Sequence, residues 1–195
     1  MFTRPDQLQR KGGPEERLSF LQKLKDEYTT TKSLEGKQQV LANLANFAYD
    51  PINYNFIKQL QIVDLFLNQL QLQQNEELCA FAVGGLCNLC NDPEIADYIT
   101  SDWVIAALIK LLQHRNKDIV LNALTTLYYL ARNVNSAYLI KTPTNLHKLR
   151  AFHAAHRTNS CDPRLTNLAT IFLRDIWDAN DANSNHSESA EVSSD

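Results

Sequence analysis

Residues 42–57 read ANLANFAYDPINYNFI, and the pattern returns twice further along the chain. Residues 84–99 read GGLCNLCNDPEIADYI and residues 125–140 read TTLYYLARNVNSAYLI. Leu44, Leu86 and Leu127 correspond, as do Asn46, Asn88 and Tyr129, then Phe47, Leu89 and Leu130, and finally Ile57, Ile99 and Ile140. The steps from Leu44 to Leu86 and on to Leu127 are 42 and 41 residues. A helical pattern with such a period describes a solenoid, in which each unit buries its apolar face against the next.

Each cycle reads as a long, a short and a medium helix. The first long helix is expected over 35–49, with Val40, Leu41, Leu44, Phe47 and Ala48 on its apolar face. Asp50-Pro51 ends it, because proline disfavours helical backbone at the preceding residue and is itself suited to open a helix. A short helix over 51–60 and a medium one over 62–70 follow, the latter with Ile62, Leu65, Phe66 and Leu70 inward. The second cycle gives 76–90, a stop at Asp92-Pro93, then 94–100 and 103–112, with Ser101 or Asp102 as the cap of the last. The third gives 117–132, 135–141 and a helix from Pro143 to about 156, capped by Thr142. A final long helix from 162 or 163 to 177 places Leu168 a further 41 residues after Leu127. Ahead of the first cycle, Leu18, Leu21, Leu24 and Tyr28 mark a helix that starts at Glu15 and breaks over 29–33.

The flanks differ in composition. Residues 1–14 hold Arg4, Arg10 and Lys11 among Pro5, Gly12, Gly13 and Pro14 and read as a flexible basic arm. Residues 179–195 are rich in Ser, Asn and acid and read as a disordered tail, because so little apolar content cannot offset the entropy of ordering. Between them, 15–178 is expected to form one repeat domain. The formal charge of −3 reflects five acids within 178–195; without them 19 basic residues face 17 acidic ones, so no nucleic-acid charge signature stands out. The polar opening MFTRPDQLQRKGGPEER does not read as a signal peptide, and no apolar run is long enough to cross a membrane. Four cysteines, three of them within or near one helical pattern, read as reduced thiols of the cytosol or nucleus. Cys87-x-x-Cys90 sits late in a helix and reads as core, lacking both the strand-to-helix setting of a redox motif and the four ligands of a zinc site. No phosphate loop, nucleophile elbow or metal-binding His-Glu motif occurs, so neither enzymatic activity nor a cofactor is expected.

The three-helix cycle and the signature Asn43-Leu44-Ala45-Asn46-Phe47, repeated as Gly85-Leu86-Cys87-Asn88-Leu89 and Thr126-Leu127-Tyr128-Tyr129-Leu130, resemble the armadillo-repeat family. The strings over 40–54 and 84–90 are similar to a small eukaryotic branch of it. That resemblance implies an all-α armadillo-repeat α-solenoid of about four repeats, truncated at both ends. It also implies a non-enzymatic, nuclear component of the minor spliceosome. Such a component is a monomer that forms a heterodimer with an RNA-recognition-motif protein, so that RNA is met indirectly through that partner.

In armadillo arrays the long helices line the concave face, which makes Asn46, Asn88, Tyr129 and Thr170 one row of a candidate partner-binding ladder. Ala42, Gly84, Thr125 and Thr166, one turn earlier, make the other. An Asn amide offers two donors and an acceptor to an extended partner, or equally to the backbone of the adjacent repeat. Armadillo proteins that bind nuclear-import peptides carry Trp at the earlier row; the small residues here argue against that function. Gly84-Gly85 is costly within a helix, about 1 kcal/mol per glycine relative to Ala, and calls for close approach by a neighbouring helix or by a partner. A basic cluster holds His147, His153 and His156 as well as Lys148, Arg150, Arg157 and Arg164. Those last four are candidate contacts for RNA or an acidic partner, against the reading of a solvated helix face. Direct RNA binding and a general armadillo peptide adaptor are the alternative functions.

Overall fold

The computed structural model describes residues 13–159 and 162–178, in which the secondary structure is helical throughout. Residues 179–195, expected to be a disordered tail, and all but two residues of the expected basic arm lie outside the described residues. Gly13 and Pro14, expected in the arm, instead open helix α1 (Gly13–Thr30). The first cycle contains α2 (Leu34–Phe47), a 3-10 turn at Pro51–Asn53, α3 (Tyr54–Gln59) and α4 (Ile62–Leu72). The second contains α5 (Glu76–Leu89), α6 (Pro93–Ile99) and α7 (Asp102–Leu111). The third contains α8 (Lys117–Arg132), α9 (Ala137–Ile140) and α10 (Pro143–Asn159). Helix α11 (Pro163–Leu173) is the fourth long helix and continues as a π-helical turn over Arg174–Asp178. The array is an all-α repeat solenoid.

The repeat leucines are its spine. Leu44, Leu86 and Leu127 have no exposed surface, nor do Leu89 and Leu130, and Ile57, Ile99 and Ile140 are buried beside them. Each such side chain contributes roughly 1.5–3 kcal/mol through burial. Long helices pack in sequence, α2 on α5, α5 on α8 and α8 on α11, so their signature residues fall in register along one side of the array.

The starts of the long helices repeat as faithfully as their cores. Ser33, Asn75 and Asn116 stand one cycle apart, and each accepts a backbone N–H of the first turn, from Gly36, Leu78 and Ile119 respectively. Such a cap is worth about 1 kcal/mol. Asp50 and Asp92, before the prolines, accept from Ile52 N and Ile95 N, so each stop also starts the next helix. Two expectations shift. The first long helix ends at Phe47 rather than 49, because the chain needs the next residues to turn into the Asp50 cap. Ser101 precedes α7 in an extended conformation without a capping side-chain bond.

Candidate protein-binding face

The seam between α2 and α5 carries the first two rungs of the candidate ladder. Asn46 is exposed, while Ala42 and Gly84 are half-buried. Gly84 is loosely packed: within 4 Å a methyl group there would meet only Asn122 Nδ2 of α8, at 3.4 Å. Two depressions lie along the seam. One, of about 220 Å³, is lined by Glu35, Gln38, Gln39, Ala42, Glu77 and Phe81. The other, of about 510 Å³, lies at the C-terminal ends of the two helices and includes Tyr49, Tyr54, Asn88 and Asn91. Ala42 and Asn88 therefore each border a concavity, with Asn46 exposed on the same long helix as Ala42.

Asn88 has a second task. Its Nδ2 donates to the carbonyl of Ala45 at 3.1 Å, and its own carbonyl accepts the Tyr54 hydroxyl at 2.8 Å. Together these bonds clamp the first cycle to the second. Burial pushes the Tyr54 phenol up to about 12, so it stays a donor across the neutral range. Sequence reasoning left open whether Asn88 meets a partner or the adjacent repeat; the structure puts its amide on the adjacent repeat, with Oδ1 not used in that bond. Tyr54 lay within the first repeat string but gave no signal of this bond, since Ala96 and Ala137 stand at its repeat positions.

The later rungs are no more buried, with Thr170 exposed and Thr125, Tyr129 and Thr166 half-buried, but they are engaged within the fold. Thr125 donates its hydroxyl to Leu121 O at 2.7 Å, within its own helix. Tyr129 is half-buried, with its ring 5.9 Å from that of Tyr128, whose hydroxyl donates to Asp175 Oδ2. Thr166 donates to His156 O on α10, and Thr170 donates to Thr166 O while meeting His153 Nε2 at 2.9 Å. At the fourth rung the threonines thus engage α10 and their own helix.

The basic residues fall into three places. Lys148 is exposed and borders a groove between α7 and α10. Arg150 and Arg157, two turns apart, share another stripe of α10 and are exposed. Arg164 sits on α11, where its guanidinium bonds both carboxylate oxygens of Asp162 and lies 3.6 Å from Asp118. The Arg164 hydrogen bonds hold the Asp162 carboxyl below its ordinary range, and the arginine's charge is largely answered within the fold.

Three thiols are core. Cys79 and Cys90 are buried, and Cys90 Sγ donates to Cys87 O at 3.0 Å. Burial pushes the Cys87 thiol up to about 11 and the Cys90 thiol higher still. Among the described residues no group of His, Cys, Asp or Glu is placed to hold a metal ion, and no helix is long and apolar enough to cross a membrane.

A family model described as the armadillo/beta-catenin-like repeat matches residues 92–132, the stretch from the Asp92 stop to the end of α8. Armadillo repeat-containing protein 7 of Mus musculus is 41% identical over 176 residues, which cover 89% of this chain and 85% of that one. The chain belongs to the family of armadillo repeat-containing protein 7. Junction plakoglobin of Xenopus laevis is 34% identical over 91 residues, 47% of this chain but 12% of its own length. Among solved structures, an engineered protein superposes with a TM-score of 0.69 at 20% identity, covering 84% of this chain and 67% of its own; it bears on the fold alone. As a member of the armadillo family, the chain is a repeat-based protein-binding adaptor.

Proposed function

We propose that this armadillo protein works as a non-enzymatic adaptor of the minor spliceosome in the nucleus, where it pairs with a protein carrying an RNA-recognition motif. The observation that carries the binding mode is the open α2–α5 seam. There the small residues Ala42 and Gly84 leave room for partner side chains, and Asn46 is exposed beside them. The splicing address rests on the likeness of 40–54 and 84–90 to the family branch, supported by a relationship that spans nearly the whole chain. In this reading the protein is a monomer that forms a heterodimer, and RNA is held by the partner.

Affinity purification of the full chain from nuclear extract, followed by mass spectrometry, tests the proposal. Co-purification of minor-spliceosome proteins, among them an RNA-recognition-motif protein that forms a 1:1 complex with purified chain, is the expected result. Recovery of no splicing protein overturns it. Direct RNA binding is the weaker reading, because Lys148, the Arg150–Arg157 stripe and Arg164 point to different surroundings and Arg164 is paired with acids.

A further inference from the structure

The solenoid is not equally closed along its length. The medium helices of the first two cycles, α4 and α7, pack directly on each other. The next pair, α7 and α10, does not close up in the same way; α10 packs chiefly on α11. Of the residues of α10, Leu149 and Phe152 belong to the buried core. The separation leaves a groove of about 570 Å³ between α7 and α10, and none of its lining residues comes from a long helix.

The chemistry of the groove is two-part. Its apolar surface comes from Ala106, Ile109, Leu112, Ala151, Phe152 and Ala155. Three of these are alanines, which let another backbone come close. Around them stand Lys110, His147, Lys148 and His156, and among the described residues no Asp or Glu lines the site. Lys110 and Lys148 are exposed and have no ion pair among the described residues. In the solenoid's own pattern such a space is filled by the next medium helix. Here it is left open, with the two lysines, Lys110 and Lys148, at its edge.

We propose that the α7–α10 groove is a second docking surface, occupied by an acidic amphipathic helix of a partner protein. The helix lays apolar residues at i, i+3 or i+4 and i+7 over Ala106, Ala151 and Phe152, in the helix-in-groove mode. Its carboxylates meet Lys110 and Lys148. The ten residues of α7 span about 15 Å, so the seat holds roughly three turns. A lysine at the mouth of such a groove speeds association with an acidic segment and disfavours basic ones. The inference extends the adaptor reading, since the ladder face and the groove give the protein two separate places to hold protein. It does not depend on which assembly the ladder joins.

The test uses the full chain with a photo-crosslinking amino acid in place of Ala106 or Ala151, irradiated in nuclear extract. The crosslinked segment is sequenced, and its synthetic peptide is titrated by fluorescence anisotropy. The expected segment belongs to another polypeptide, is acidic, and carries apolar residues at helical spacing. Its affinity falls roughly tenfold or more in Lys110→Glu/Lys148→Glu, weakens with added salt, and is unchanged in Asn46→Arg. Both lysines are exposed, so the double variant keeps its fold, which circular dichroism verifies; Ala151→Glu gives a second, steric block. Crosslinks confined to residues 178–195 of the same chain, to a second copy or to RNA overturn the proposal. So do crosslinks no stronger than those from exposed Glu16, or peptide binding indifferent to the lysine reversal. Failure to recover splicing proteins with intact groove binding would instead strike only the spliceosomal reading.

Discussion

Gly85 lies against the outer end of the Phe66 ring: a methyl group at Gly85 would stand 2.6 Å from Phe66 Cζ. Phe66 is fully buried on α4, so the ring has nowhere to go. The close approach that Gly85 permits is therefore made by a neighbouring helix. A methyl group at Gly84, one residue earlier, would meet only the Asn122 side chain of α8, at an ordinary contact distance of 3.4 Å. The two glycines of one dipeptide should respond oppositely to the same change. Gly85→Ala is expected to lose about 1–3 kcal/mol through overpacking. Gly84→Ala is expected to be neutral or to gain up to about 1 kcal/mol from helix propensity. Urea unfolding of the two variants checks this, and equal effects would contradict the packing described.

The Tyr54–Asn88 bond gives an alkaline signature. An unfolded tyrosine loses its proton near 10, whereas burial holds that of Tyr54 to about 12 in the folded chain. Between these values the folded state keeps a proton that the unfolded state has released. The contribution of Tyr54 to stability should be at its full value below about pH 10 and decline as pH rises towards 12. Tyr54→Phe should lower stability at neutral pH by about 1 kcal/mol and flatten the alkaline decline. Tyr28 and the thiols of Cys79, Cys87 and Cys90, all raised by burial, would leave a residual slope, the thiols' part beginning at lower pH. Denaturant melts at stepped pH, with tyrosinate absorbance as a monitor, measure both effects.

Asn46 and Asn88 occupy the same repeat position but should separate experimentally. Asn46→Arg changes an exposed side chain, so stability should move by less than about 0.5 kcal/mol while pairing with the partner is lost. Asn88→Ala removes the bond to Ala45 O and should cost about 1 kcal/mol, with a smaller effect on pairing. Thermal melts beside a binding titration distinguish the two. If Asn46→Arg binds normally, the α2–α5 seam is not the partner's seat.

Thiol chemistry offers a further check. Cys79, Cys87 and Cys90 are held as buried or half-buried thiols whose ionisation is suppressed by burial. In a Cys161→Ser background, native protein should react with a disulfide reagent far more slowly than protein in denaturant. Rapid native labelling of any of the three would show that the α5 core opens readily.

Much of the architecture was legible in the chain because it is written three times. Leu44, Leu86 and Leu127 and the paired stops at Asp50-Pro51 and Asp92-Pro93 marked the helices within a residue or two, and α8 ran over 117–132 as read. What the period could not convey were contacts that break it. Tyr54 and Asn53 are buried in the first cycle, where Asn53 accepts from Arg17 and donates to Phe47 O, yet the second cycle has Ile95 at the latter position. The engagement of Thr166 with α10 depends on how α10 sits, and nothing local in sequence sets that placement. The α7–α10 groove escaped for the same reason. Its residues read as ordinary helix faces until the separation of the two helices is known.

Links such as Lys58–Glu94, Tyr98–Asp64 and Arg115–Glu76 each join residues 34 to 39 positions apart, from one cycle to the next. Mechanically the array is therefore a set of stiff segments joined in series. Strain applied at its two ends passes through every junction in turn, and the overall bend is the sum of small rotations at each. Between the second and third cycles the long helices and the Arg115–Glu76 and Asn133–Asp97 links brace the junction. There α7 and α10 do not close up as α4 and α7 do, so a helix seated in that groove would add a brace on the one side that lacks it.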